Sequence, residues 1–137
     1  MIIKKRNKSG VMCYWDDEQN ASKAKSRNER AEQKEFISWV RFNYPEHDKT
    51  IFAPINESQH SQGEAVRMGL TRGVSDTLMM CNGAGAIEIK RSRKRDASAI
   101  SKDQKEFTLG VEAAGGFAVV AYGALAAKEA LKDYLNK

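Results

Sequence analysis

Phe117-Ala118-Val119-Val120-Ala121-Tyr122 is a six-residue run with no charged or amide side chain. A strand with one wet face alternates apolar and polar residues, so a nearly all-apolar run of this length predicts a strand buried on both faces. Covering both faces of a central strand requires elements on each side of the sheet, which selects an α/β architecture. The flanking sequence agrees. Ser101-Lys102-Asp103-Gln104 has capping-box spacing and opens a helix with Phe107, Val111 and Ala114 on its apolar face; Gly115-Gly116 closes it. A last helix is expected from about Ala124 to Leu135.

Upstream, Phe36, Ile37, Trp39, Val40 and Tyr44 recur at helical spacing, with Asn28 as the N-cap, Glu29 in the first turn and Pro45 as the stop. Residues 51–56 predict a short edge strand, and Glu64 to Leu70 a short helix. Thr77–Cys81 and Ala86–Lys90 flank Asn82-Gly83-Ala84-Gly85, a turn signal, and so predict a hairpin. A hairpin followed by a crossover helix into a third strand gives a mixed sheet flanked by helices. Residues 1–27 have no clean period and read as an N-terminal arm, hairpin or dimerisation segment; residues 28–137 read as the single main domain.

Composition excludes several classes. No apolar run reaches the ~18–20 residues that span a bilayer, and residues 1–6 lack the apolar core of a secretory signal, so a cytoplasmic protein is expected. Cys13 and Cys81 lack metal-ligand spacing and are expected as free thiols; His47 and His60 lie far apart, which gives zinc little support. The net charge of +5 favours a polyanionic partner. Residues 90–105 alone hold seven basic side chains against two acidic ones, so the excess is concentrated there.

The chemistry-bearing residues sit on the hairpin. In a strand, Glu88 and Lys90 share one face and Ile87 and Ile89 the other. Asp76, at the start of the partner strand, belongs to the same end of the sheet. Two neighbouring carboxylates repel, and a divalent cation with a preference for oxygen ligands relieves that repulsion. Mg²⁺ or Mn²⁺ held there suits phosphodiester hydrolysis, with the lysine orienting water or balancing charge. One geometric condition applies. A turn centred between Gly83 and Ala84 sets Asp76 opposite Arg91, roughly 10 Å from Glu88. The reading therefore requires an offset turn or a bulge.

With these residues, the chain resembles the VRR-NUC domains of the PD-(D/E)XK nuclease group over about residues 28–136. The matching pieces are Glu29-x-x-x-Gln33 with the helix that follows, Pro54-Ile55-Asn56-Glu57, and Gly69 to Asp76. Glu88-Ile89-Lys90 matches the E-x-K signature and Ser101 to Gln104 the S-x-x-Q that opens the next helix. Ser75 stands where the family usually has proline, and the Arg91–Ile100 loop is long and basic. The resemblance implies a restriction-endonuclease-like core and Mg²⁺-dependent cleavage of DNA, with Mn²⁺ as a substitute. It implies Asp76, Glu88 and the Ile89 carbonyl as metal ligands, Lys90 as the catalytic lysine, Glu29 as a supporting acid and Gln104 as a nearby polar group. It also implies a homodimer, a bacterial or phage-encoded (viral) setting, and action on branched DNA such as Holliday junctions. Arg72, Arg91, Arg93, Lys94, Arg95 and Lys102 are the expected DNA-binding residues. The competing reading is a non-catalytic DNA-binding module that uses the basic 90–105 segment.

Overall fold

The computed structural model describes residues 1–54 and 62–137. The second half of the expected 51–56 strand, and most of the Pro54–Glu57 motif, lie outside the described residues, as does His60.

A six-stranded mixed sheet, in the order β1-β2-β6-β5-β4-β3, forms the centre. Its strands are β1 (Ile2–Arg6), β2 (Met12–Asp16), β3 (Ile51–Phe52), β4 (Thr77–Met79), β5 (Gly85–Lys90) and β6 (Phe117–Tyr122). The helices are α1 (Asp17–Ala21), α2 (Glu29–Asn43), α3 (Gln62–Arg67), α4 (Lys102–Ala113) and α5 (Ala124–Leu135). β6 pairs in parallel with both β2 and β5, and every other pairing is antiparallel. The expected α/β class, hairpin, crossover helix and central apolar strand are all present. Within residues 1–27, expected as an arm, hairpin or dimerisation segment, β1 and β2 form a hairpin that joins this same sheet.

Sequence dictates where each element begins. The Asn28 side chain accepts from Ala31 N at 2.8 Å and so starts α2; Ser101 and Gln104 form a complete capping box on α4. α5 has no cap of its own, because Gly123 precedes it. Glu32, buried on α2, supplies the missing acceptor: the Ala124 N–H donates to Glu32 Oε1 at 3.0 Å. Arg27 in turn donates to both Glu32 oxygens, at 3.1 and 2.6 Å.

The alanines of α5 (Ala124, Ala126, Ala127, Ala130) are buried and bring that helix close to the sheet. With Phe36 and Val40 of α2 they cover Ile87, Ile89, Val119 and Ala121. The other face carries a smaller apolar cluster of Val11, Cys13, Val120 and Tyr122, joined by Leu109 of α4. β6 is thus covered on both sides, as its composition requires. The cysteines are free. No helix among the described residues is long and apolar enough to cross a membrane.

Glu32→Ala removes the cap of α5 and the partner of Arg27 together. Arg27 is half-exposed, so the ion pair contributes little and the cap dominates. A loss of about 1–2 kcal/mol is expected in urea denaturation. Glu32→Gln, which keeps an acceptor, should lose clearly less; equal losses in the two variants would assign the effect to charge.

Candidate active site

Asp76, Glu88 and Lys90 converge because the hairpin loop is centred on Asn82 and not between Gly83 and Ala84. Thr77 faces Ile87, Leu78 faces Ala86 and Met79 faces Gly85, so the next position sets Asp76 opposite Glu88. β4 ends at Met79, and residues 80–84 form the connection. The loop is pinned from α5: the Asn82 N–H donates to the Tyr134 hydroxyl at 2.7 Å, and that hydroxyl donates to the Gly83 carbonyl. The Met80 N–H leaves the β5 ladder for the Thr50 carbonyl at 2.8 Å. The offset that the sequence reading required is therefore present, and register partners on adjacent strands face the same side.

Asp76 lies one residue before β4, where the backbone ladder has ended. Its carboxylate continues the ladder instead, with Oδ2 accepting from the Ile89 N–H at 2.8 Å. Gln33 of α2 donates to the Asp76 carbonyl at 3.2 Å and braces the same residue from behind. The approach to Asp76 depends on Gly73, in the left-handed region at φ +79°. A Cβ there would stand 2.2 Å from the Asp103 carbonyl carbon and 2.6 Å from Gln104 N, so only glycine lets this segment lie against the start of α4.

Glu88 is buried, 4% exposed. Burial, then the hydrogen bond it shares with Asp76 and that residue's charge, push its carboxyl up to about 9. Lys90 pulls the other way, and Glu29 adds a smaller upward push. Beside Asp76, the buried Glu88 carboxyl is thus favoured in its protonated form.

Lys90, also buried, spends its ammonium on three acceptors. Nζ donates to Ser98 Oγ at 3.0 Å, Gln104 Oε1 at 3.1 Å and the Ala99 carbonyl at 3.4 Å. Gln104 Oε1 also accepts from the Ser101 N–H at 3.0 Å, so one amide oxygen caps α4 and positions the lysine. Ser98 Oγ donates onward to Glu29 Oε1 at 3.3 Å. Of the five residues expected at the chemical centre, Lys90, Gln104 and Glu29 are joined through hydrogen bonds that include Ser98, and Glu88 hydrogen-bonds with Asp76 beside them. Ser98 and Gln33 are the positions that sequence reasoning gave no role. Ser98 sits in an aperiodic loop, and Gln33 acts through a side-chain bond that helical spacing does not encode.

Among the described residues no group of three or more carboxylate, imidazole or thiol side chains gathers at metal-holding distance. The hard-donor set is therefore the Asp76–Glu88 pair. The residues expected to bind DNA divide. Arg93 is corrected to a structural residue: it is buried, with Nε on Asp96 Oδ2 at 2.6 Å and Nη1 on the Ser22 carbonyl at 3.0 Å. The Arg93 and Ser26 hydrogen bonds hold Asp96 well below the ordinary carboxylate range. Arg95 is exposed although Nη2 reaches the Ser22 carbonyl at 3.3 Å. Arg91 is half-buried beside Glu29 and Ser98, whereas Arg72 and Lys102 are exposed. Lys102 faces Glu106 at 3.8 Å. Lys94 lies over the Trp15 ring, 3.5 Å from its centroid.

The molecule is an α/β protein with a mixed sheet, helices on both faces, and a carboxylate pair and lysine at the end of one hairpin. A solved structure named "VRR_NUC domain protein" has this fold, with a TM-score of 0.67 over 82% of this chain and 91% of that one, at 21% identity. The fold implied by the motif resemblance is therefore the fold observed. No protein-family model and no curated protein matches the chain.

Glu88 carries a pH signature. Its folded value of about 9 lies above the ordinary 4.5, so the folded state keeps a proton that the unfolded state releases in between. In EDTA its contribution is full below the unfolded value and fades as pH rises toward the folded one, by no more than about 1.4 kcal/mol per pH unit. Glu88→Gln cannot ionise and should lose less stability between about pH 5 and about pH 8. Urea midpoints measure this; parallel losses in the two proteins would mean that Glu88 is ionised when folded.

Proposed function

We propose that this chain is a VRR-NUC nuclease, a divalent-metal-dependent endodeoxyribonuclease that hydrolyses phosphodiester bonds. The observation that carries the proposal is the register that sets Asp76 opposite Glu88, with Lys90 two residues further along the same face. Each of these residues has an unremarkable role alone. Their convergence in a mostly buried corner, tied to α4 through Gln104 and to α2 through Ser98 and Glu29, is costly unless it serves chemistry.

The donor set fits a hard cation. A buried carboxyl whose charged form is disfavoured by desolvation and by a neighbouring carboxylate gains most from a divalent ion, which removes both penalties. Asp76 and Glu88 would hold Mg²⁺, or Mn²⁺ in its place, with the Ile89 carbonyl as the third protein ligand by resemblance. Such an ion supplies Lewis-acid stabilisation of the scissile phosphate and lowers the pKa of bound water.

The chain's own residues do the rest. The Ile89 N–H fixes the Asp76 carboxylate in one orientation. Lys90 offers an ammonium on the face of the two acids, and exchanging its longest contact, to Ala99, for a phosphate oxygen or the attacking water leaves Ser98 and Gln104 to hold it. Glu29 acts through Ser98 and orients that lysine. Arg72, Arg91, Arg95 and Lys102 remain the candidates for phosphate contacts around the site, with Lys94 further off over the Trp15 ring. The DNA substrate extends to branched forms such as Holliday junctions, where a two-fold homodimer would present paired sites. The cytoplasmic, phage-encoded setting belongs to the same reading.

Linear, nicked, flapped and four-way DNA, incubated with Mg²⁺, Mn²⁺ or EDTA, provide the test. Metal-dependent cleavage is expected, with Asp76→Ala, Glu88→Ala and Lys90→Ala each reducing it about a hundredfold or more while leaving binding in EDTA near the wild-type level. Binding to all four forms without cleavage in either metal would instead establish a non-catalytic DNA-binding module.

A further inference from the structure

We propose that a groove remote from the carboxylate pair, between the β1–β2 hairpin and the start of the basic loop, binds the DNA backbone flanking the cleavage site. This rests on the nuclease reading for its substrate but not for its evidence. The groove encloses about 440 Å³, and its charged lining is Lys5, Arg6, Lys8 and Lys94, with Trp15 and Tyr122 as its floor. Among the described residues no carboxylate lines it. Of the four cations only Arg6 has an acidic partner among the described residues, Glu112 at 2.8 Å.

Lys94 is held for this purpose. Its Nζ sits 3.5 Å from the Trp15 centroid and 5.5 Å from that of Tyr122. Aromatic faces orient an ammonium and strip part of its water without neutralising it. Lys5 and Lys8 are exposed and stand at the rim. Three unneutralised amines around one concave surface attract a phosphodiester chain and release its counterions.

Sheet register gives the groove its relation to the site. Lys90 faces Tyr122, and Tyr122 faces Trp15; Glu88 faces Val120, Val120's row continues to Cys13, and Cys13 faces Lys5. Residues in one such row point to the same side of the sheet. The groove and the acid pair therefore lie on the same side of the sheet, with Val120 and Cys13 buried beneath Leu109 and Ile100 between them, a ridge that a DNA arm would cross. Lys5 lies three strand spacings from Glu88, about 14 Å. That span corresponds to roughly four nucleotides of a duplex strand, so one DNA arm can reach both places. The charge of the 90–105 segment is thus divided, with Lys90 in the site and Lys94 in the groove.

The test is binding of a fluorescein-labelled DNA duplex of three helical turns by the full chain in EDTA, as a function of salt. Lys5→Gln/Lys8→Gln changes only exposed side chains and should reduce the slope of log K against log salt by about 2, and adding Lys94→Gln should bring the reduction to nearly 3. Lys49→Gln/Lys132→Gln removes equal charge away from the groove and should leave the slope within a few tenths of wild type. An unchanged slope in Lys5→Gln/Lys8→Gln, or one no different from the control pair, overturns the proposal. Because the readout is binding without metal, a protein that fails to cleave but loses its salt slope in these variants would retain the groove and lose the nuclease reading. Cleavage with a wild-type slope in the variants would do the reverse.

Discussion

Two carboxylates facing each other across adjacent strands are the constraint around which this molecule is arranged. Glu88 is not placed for stability: burial and the neighbouring Asp76 favour its protonated form, and an apolar side chain in its place would avoid that desolvation. The arrangement persists because its surroundings determine it from several directions. The Ile89 N–H holds one carboxylate, Gln33 braces the backbone of Asp76, and Gly73 lets the incoming chain lie against α4.

The supports come from elements far apart in sequence, and this couples the site to the whole fold. Tyr134, near the end of α5, fixes the loop whose length sets the Asp76–Glu88 register. Gln104 completes the cap of α4 and receives the Lys90 ammonium with the same oxygen, so the crossover helix cannot start elsewhere without releasing the lysine. Glu32 on α2 caps α5, and Glu29 on the same helix reaches Lys90 through Ser98. A rigid sheet edge with helix termini on it supplies orientation that a loop-borne site would lack.

How much of this the sequence discloses depends on whether the determining interaction is local. The buried strand at 117–122 and the final helix at 124–135 follow from local apolar pattern and appear with the expected boundaries. The capping box at Ser101 is a four-residue signal and is present as read. The hairpin register is different. Asn82-Gly83 marks a turn, but the register is set by Tyr134 some fifty positions away, so local turn chemistry misplaces it by three residues. Arg93 fails for the same reason: within the loop it looks like one of several solvated cations, and only the return of the chain past Ser22 and Asp96 shows that its guanidinium is used internally. The N-terminal strands lack a clean period because β1 is an edge strand whose side chains are largely exposed.

The fate of that basic segment bears on what a long charged insertion does in a small fold. Here one strand-and-loop segment carries its cations in three directions: Lys90 inward to Ser98 and Gln104, Arg93 into an ion pair that fixes the loop, and Lys94 across to the aromatic rings of Trp15 and Tyr122. The anchoring arginine makes the other two placements possible, because a loop without its internal bonds would pay the full entropic cost of ordering. Charge that is uninformative as a total becomes specific when one member is neutralised inside the protein and its neighbours are left unpaired at fixed positions.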